Sequence, residues 1–181
     1  MKKVKTLGFF IFLLVLAILI IKSVDLYEKI EYPVKYDAYI AKYCAEYDVD
    51  KDLMCALIKT ESGFNPHAVS DMGAIGLTQI TEDTFDWIKA KLGDTKTQYQ
   101  DLKDPETSIK YGTYLMSMHL KEYGNTEVAL AAYHAGRRNV NKWLSEGIIS
   151  LEGNIEKLPI EATQHYVKKV MTAYRIYQKD N

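Results

Sequence analysis

Residues 61–66 read Glu61-Ser62-Gly63-Phe64-Asn65-Pro66, which places a carboxylate at the end of an apolar helix and then breaks the chain. Five residues upstream of the break recur at helical spacing on one stripe, the face that the helix should bury: Leu53, Met54, Leu57, Ile58 and Glu61. Burial raises the pKa of a carboxyl group toward the range that a general acid needs near neutral pH. The stripe alone leaves a second interpretation open, in which the end of the helix frays and the side chain of Glu61 lies in water.

The same helical periodicity continues through most of the chain. It predicts helices over residues 36–47, 52–61, from 81 or 83 to 92, 104–123, 127–135, 138–146 and from about 159 to 177. Between residues 66 and 81 the periodicity is lost, and Gly73 and Gly76 offer backbone that a ligand can approach closely, which predicts a functional loop. No strand alternation of useful length occurs, so we expect an all-α domain.

The N-terminus has a different composition from the rest of the chain. Three lysines precede a nearly unbroken apolar run over residues 7–21, which Lys22 closes. This pattern predicts a signal anchor or transmembrane helix over residues 1–24, a stalk over 25–35 and one globular domain over 36–181 on the extracytoplasmic side of the membrane. A cleaved signal is the less favoured alternative, because residues 22–26 lack a small-x-small cleavage site.

Composition and charge exclude several classes of function. The formal net charge is -1, but four lysines precede Asp25, so the remainder carries 19 basic against 24 acidic residues. No basic patch for nucleic acid is visible. The chain has no Gly-rich phosphate loop, and its four histidines lie in different elements without ligand spacing, so we expect no metal and no cofactor.

Cys44 and Cys55 would lie in an oxidising compartment if the domain is exported. On one unbroken helix they would stand about 16 Å apart, too far for a bond, whereas a turn at residues 48–50 could bring them together. The sequence leaves open a disulfide or two buried thiols that act as small hydrophobic side chains.

Three blocks of sequence carry a resemblance to a known family. They are ESGFNPHAVSDMGAIGLTQITEDT from Glu61, AAYHAG from Ala131 and LPIEATQHYVKKV from Leu158, and DPETSIKYGTYL from Asp104 adds a weaker fourth. The blocks resemble the lysozyme-like domain of bacterial lytic transglycosylases related to the soluble type, which read approximately ESxFNPxAxSxxGAxGLMQxxPxT, AAYNAG and IPxxETxxYVxxV. The resemblance extends from about Tyr36 to Tyr177 and implies the fold shared with goose-type lysozymes.

The resemblance implies cleavage of the β-1,4 bond between N-acetylmuramic acid and N-acetylglucosamine in peptidoglycan, without water, to give 1,6-anhydromuramyl ends. It implies that Glu61 is the single general acid and base and that the substrate's acetamido group assists. Five further residues match, or neighbour, family positions that hold the sugar: Ser70, Gln79, Tyr133, Tyr166 and Glu161. Each also has a purely structural interpretation, such as a turn cap, a loop brace or a half-buried tyrosine.

The chain departs from the family pattern at four positions. Thr78 stands where Met is usual, His134 where Asn is usual, Glu82 where Pro is usual, and Ser108 where Asn is common. None of these changes removes the acid. Two other functions stay open: a hydrolytic muramidase on the same fold, and an inactive wall-binding or scaffolding module of an envelope-spanning assembly.

Overall fold

The computed structural model describes residues 2–180, apart from the side chains of residues 2–8, 10, 11, 25 and 180. Eight α-helices follow in order: α1 Lys2–Glu31, α2 Asp37–Tyr47, α3 Lys51–Ser62, α4 Glu82–Leu92, α5 Pro105–Tyr123, α6 Thr126–Ala135, α7 Arg137–Ser145 and α8 Glu161–Tyr177. Three short 3-10 helices cover Tyr99–Lys103, Ile155–Lys157 and Gln178–Asp180. Within the described residues β pairing is limited to isolated bridges. The all-α prediction is therefore confirmed. The 3-10 helices at Tyr99–Lys103 and Ile155–Lys157 lie in segments predicted as connections, and Gln178–Asp180 follows the last predicted helix.

The chain divides into two units, Met1–Pro33 and Val34–Asn181. In the first unit the described apolar side chains of α1 are exposed, with Phe12 and Leu14 each 62% exposed. Among the described residues, no helix has the length and hydropathy needed to cross a membrane. The transmembrane helix predicted over residues 1–24 is thus not found. Residue 1 and the side chains of residues 2–8, 10 and 11, which belong to that prediction, lie outside the described part of the structure. Residues 25–31 of the predicted stalk continue α1 as helix.

Helix α3 forms the centre of the second unit. The side chain of Asp50 caps its first turn by accepting a 3.0 Å hydrogen bond from the amide of Leu53. All six residues from Leu53 to Ile58 are buried, so α3 is enclosed on all sides and not along one stripe only. It packs mainly against α8, while α5 packs against α2 and α6. Glu61 therefore lies about one turn beyond the fully buried part of α3.

The segment between α3 and α4 lacks regular structure but is firmly held. The amides of Ile75 and Ile80 donate to each other's carbonyl oxygens at 3.1 and 3.3 Å. The single hydroxyl proton of Tyr99 is shared between the carbonyl oxygens of Gly73 and Ile80. Gly76 has a φ of 81° and lies against the carbonyl of Leu102, so a side chain at that position would have no space. Hydrogen bonds and close backbone packing therefore hold the predicted functional loop in place.

Both cysteines are free and buried. The turn at residues 48–50 exists, but it does not join them, so the disulfide alternative is wrong. Burial raises the pKa of each thiol to about 12, and Cys44 and Cys55 therefore behave as small hydrophobic side chains.

Candidate active site

Glu61 lies in the last turn of α3 and is half-buried. The hydroxyl of Tyr166 in α8 donates a 2.6 Å hydrogen bond to Oε1 of Glu61. Burial raises the pKa of Glu61 to about 7, outweighing the hydrogen bond from Tyr166 and the positive charge of Lys169, which both lower it. Glu61 is thus partly protonated at neutral pH and can both give and take a proton.

A cleft of about 410 Å³ opens beside Glu61. Its walls come from the 66–81 segment, α4, α5 and α6, and its lining residues are Glu61, Ser70, Met72, Ala74, Gln79, Ile80, Thr81, Thr84, Leu115, Tyr133, His134, Ala135 and Gly136. Of the lining residues within the described chain, Glu61 alone carries a carboxyl group. The nearby acids Asp71, Glu82 and Asp83 are exposed and lie outside the lining. The cleft therefore offers one carboxyl group to a bound molecule.

Tyr166 is 8% exposed and is held from the side by His134. The two rings stack with their centroids 4.5 Å apart and an interplanar angle of 29°. Nδ1 of His134 lies 3.1 Å from Oγ1 of the buried Thr163, one turn before Tyr166 in α8. Burial lowers the pKa of His134, which keeps its ring neutral at neutral pH. His134, which the sequence marked only as a departure, thus fixes the tyrosine that contacts Glu61.

Gln79 and Ser70 each have a structural contact and a free polar group. Gln79 has a φ of 50°, and its Nε2 donates to the carbonyls of Ala68 and Gly76 at 3.1 and 2.8 Å. Oγ of Ser70 accepts a 3.0 Å hydrogen bond from the amide of Ala74. Both side chains line the cleft, so the amide oxygen of Gln79 and the hydroxyl hydrogen of Ser70 can face a ligand.

Tyr133 in α6 lines the same cleft and is hydrogen-bonded to the 66–81 segment. Its hydroxyl donates a 2.8 Å hydrogen bond to the carbonyl of Thr78, and burial with the nearby Glu61 raises its pKa well above the usual value. Thr78 is fully buried and is held by Ser108: its amide donates to Oγ of Ser108 at 3.2 Å, and its Oγ1 donates to the carbonyl of Ser108 at 3.0 Å. Two of the departures from the family pattern are therefore direct partners.

Glu161 is not brought to the cleft. It is exposed in the first turn of α8 and is absent from the cleft lining. Aligned with IPxxETxxYVxxV, the block from Leu158 places Ala162 on the family's glutamate, one position later. The sequence reasoning also missed Ser62, whose hydroxyl donates a 2.8 Å hydrogen bond to the carbonyl of Leu77 and ties α3 to the loop. The signal for Ser62 was the first block, because the family pattern ESxFNP has serine at the same position.

The fold and the cleft define a helical domain with one protonatable carboxyl group at the side of an open groove. The family model for the transglycosylase SLT domain matches residues 38–148, which is more than half of the chain. The chain belongs to this family.

Curated relatives include both soluble and membrane-bound proteins. The chain is 33% identical over 153 residues to the soluble lytic murein transglycosylase of Salmonella typhimurium, covering 82% of this chain and 23% of that protein. It is 30% identical over 171 residues to membrane-bound lytic murein transglycosylase C of Serratia proteamaculans, covering 80% and 47%. The chain thus spans about a quarter of the soluble relative and about half of the membrane-bound one.

Solved structures agree with this assignment. An inactive glutamate-to-glutamine mutant of the lytic transglycosylase Slt from Pseudomonas aeruginosa superposes with a TM-score of 0.77 at 27% identity, covering 84% of this chain and 25% of that one. A complex of the 70-kDa soluble lytic transglycosylase with bulgecin A gives a TM-score of 0.78 at 29% identity, with the same coverage.

Proposed function

We propose that this chain is a peptidoglycan lytic transglycosylase that cleaves the β-1,4 bond between N-acetylmuramic acid and N-acetylglucosamine and leaves 1,6-anhydromuramyl ends. The observation that carries the proposal is the single carboxyl group of the cleft, Glu61, with a pKa of about 7. A glycosidase that hydrolyses through two carboxylates needs the second about 5 to 10 Å from the first. No second carboxyl group lines the described cleft, which favours a route that needs only one.

In the proposed mechanism Glu61 acts twice. Tyr166 donates to Oε1, and Oε2 has no hydrogen-bond partner among the described residues, so Oε2 is the oxygen that carries the proton to the leaving glycosidic oxygen. The acetamido group of the substrate then stabilises the oxocarbenium-like carbon. Glu61, now a carboxylate, takes the proton of the muramyl C6 hydroxyl, whose oxygen closes the anhydro ring. Glu61 is thereby protonated again.

The other cleft residues position the substrate in this proposal. Gln79 contributes an acceptor and Ser70 a donor for the acetamido group or for sugar hydroxyls. Tyr133 holds the loop in position through its hydrogen bond to the carbonyl of Thr78. Support for a single essential glutamate also comes from the inactive glutamate-to-glutamine mutant of the Pseudomonas aeruginosa relative. Glu161, being exposed and outside the cleft, has no role here.

The test is product analysis of sacculi digested with the purified protein. Mass spectrometry should find muropeptides that are lighter by one water than hydrolytic products, and Glu61→Gln should abolish their formation. Glu156→Gln, at an exposed glutamate in a 3-10 helix away from the cleft, is the matched control and should retain full activity. Reducing muramyl ends would show a muramidase instead, and a chain that binds sacculi without cutting them would be a scaffolding module.

We also propose, from the sequence, that residues 1–24 attach the domain to the outer face of the cytoplasmic membrane. The support is the apolar run over residues 7–21 with its flanking lysines, together with the exposed apolar side chains of α1. The protein should then sediment with membranes and require detergent for release. A mature protein that begins after residue 21 and is released without detergent would overturn this.

A further inference from the structure

His134 makes two contacts with α8, and the asparagine of the family pattern can make only one of them. Its ring stacks on Tyr166 with the centroids 4.5 Å apart, and its Nδ1 lies 3.1 Å from Oγ1 of Thr163. An asparagine side chain can reach Thr163 with its amide oxygen, but it has no ring to lie on Tyr166. The stack is therefore a contact that this chain adds at a position where the pattern AAYNAG has asparagine.

The hydrogen bond to Thr163 fixes both the orientation and the protonation of the ring. Thr163 is fully buried, and Nδ1 of His134 is the one hydrogen-bond partner that its Oγ1 has among the described residues. A buried hydroxyl hydrogen without an acceptor is costly, so the hydroxyl donates and Nδ1 accepts. The neutral ring then carries its proton on Nε2. Burial lowers the pKa of His134, so the ring that stacks on Tyr166 is uncharged at neutral pH.

Tyr166 connects this ring to the carboxyl group of Glu61. Its hydroxyl donates the 2.6 Å hydrogen bond to Oε1, and this bond opposes the rise in the pKa of Glu61 that burial causes. The bond forms only where the tyrosine ring is held in place, and α6 holds that ring through His134. His134 also lines the cleft, so its ring edge is within reach of a bound molecule as well.

We propose that His134 is a positioning residue for the reaction, because its stacked ring holds the hydroxyl of Tyr166 against Oε1 of Glu61. With Oε1 occupied in this way, Oε2 presents its proton to the leaving oxygen in one fixed direction. The inference rests on the proposed function, since it concerns the same proton transfer by Glu61. Lys169 in α8 also lowers the pKa of Glu61, and the variants below leave it unchanged.

Two substitutions separate the stack from the hydrogen bond. His134→Asn keeps an acceptor for Thr163, removes the ring and leaves the position uncharged. The high-pH limb of kcat/KM on sacculi should move up by about half to one pH unit, and kcat should fall roughly fivefold with KM little changed. His134→Phe keeps a ring on Tyr166 and removes the acceptor, so the limb should stay in place while urea unfolding shows a loss of stability.

The matched control is His165→Asn, at an exposed histidine of α8 outside the cleft lining, and it should change neither the limb nor the stability. A double variant tests the route through the tyrosine. In a Tyr166→Phe background the hydroxyl is absent, so His134→Asn should shift the limb no further. An additive shift, an unmoved limb in His134→Asn, or a rise in KM at unchanged kcat would overturn the proposal. An equal shift in His134→Phe would overturn it too, because the stack would then have no effect of its own.

The pKa of Glu61 can also be measured without catalysis. If the wild type does not cleave sacculi, the proposed function fails, and NMR titration of carbon-13-labelled glutamate carboxyl groups tests the inference alone, with Glu61→Gln to assign the signal. The pKa of Glu61 should be higher in His134→Asn than in wild type, and unchanged in His134→Phe and in His165→Asn. The same pKa in all four proteins would overturn the positioning role independently of catalysis.

Discussion

The hydroxyl of Tyr166 donates a 2.6 Å hydrogen bond to Oε1 of Glu61, a residue 105 positions earlier in the chain. This bond favours the carboxylate, whereas burial favours the protonated acid, and burial has the larger effect, which leaves the pKa at about 7. Tyr166 is in turn fixed by the stacked ring of His134. The protonation of Glu61 thus depends on contacts from α6 and α8 as well as on its own helix.

Tyr166→Phe should raise the pKa of Glu61 further, because it removes a donor that stabilises the carboxylate. A hydrogen bond to a charged group is worth about 1.5 to 3 kcal/mol, so the high-pH limb of kcat/KM should move up by roughly one to two pH units. The pH profile of kcat/KM on sacculi measures the shift. Tyr114→Phe removes the hydroxyl of another half-buried tyrosine, outside the cleft lining, and should leave the profile in place. A limb that stays or moves down would contradict the assignment.

The raised pKa of Glu61 also predicts how stability depends on pH. The unfolded chain has the ordinary pKa of 4.5 and the folded protein about 7, so between these values the unfolded state releases the proton first. The folded protein therefore loses stability as pH rises from about 4.5 to 7, by at most about 3 kcal/mol, and the loss is complete above pH 7.

Glu61→Gln should remove this loss. The variant should be more stable than wild type at pH 8 and nearly equal to it at pH 4, where the wild-type carboxyl is protonated in both states. Urea unfolding at both pH values measures the difference, with Glu156→Gln as the exposed comparison. A variant less stable than wild type at pH 8 would show that burial does not oppose the charge of Glu61.

Tyr133→Phe tests the link between α6 and the loop. The change leaves the buried carbonyl of Thr78 without its donor, which costs about 1 to 3 kcal/mol, and it releases the loop that carries Gln79. We expect lower turnover together with this loss of stability, whereas Tyr114→Phe should change both little. Full activity and stability in Tyr133→Phe would make the hydrogen bond irrelevant to the site.

Much of the fold could be predicted from the sequence, because periodicity and end signals are local. Asp50, Asp104 with Pro105, and Gly63 mark helix ends where the structure has them. The predicted stripe of α3 describes only one face of the helix, although residues 53–58 form an unbroken apolar run, which is the sequence signal for a helix buried on all sides. The membrane helix predicted from residues 1–24 is not found among the described residues.

The sequence predicted part of the candidate cleft but not its contacts, since Tyr166, predicted to hold the sugar, contacts Glu61 but is not among the residues that line the cleft. Glu61, Ser70, Gln79 and Tyr133 do line one cleft, because each stands in a block that resembles the family. Glu161 does not, since the block from Leu158 aligns Ala162, and not Glu161, with the family's glutamate. The stacking of His134 on Tyr166 joins distant segments, and such pairings leave no periodic signal in one sequence.

Thr78 and Ser108 show the same limit, and they give the last prediction. In the sequence they are two separate departures from the family pattern, yet in the structure each satisfies the other in a fully buried site beneath the loop. Ser108→Ala leaves the amide of Thr78 without an acceptor, which should cost about 1 to 3 kcal/mol. Ser145→Ala removes an exposed hydroxyl that bonds only to its own helix, and it should change stability by less than about 0.5 kcal/mol.

The effect should also reach the cleft, because Tyr133 donates to the carbonyl of the same Thr78. Ser108→Ala and Tyr133→Phe each remove a hydrogen-bond partner of Thr78. Once one partner is gone, Thr78 is already less well held, so losing the other costs less. The double variant should therefore lose less stability and less kcat/KM than the two single losses combined, as expected for residues that share one partner. Denaturant unfolding and turnover of the four proteins complete the cycle. If the effects of the two substitutions were strictly additive in both stability and kcat/KM, the contact of Thr78 with Ser108 in α5 would not influence the cleft through Tyr133.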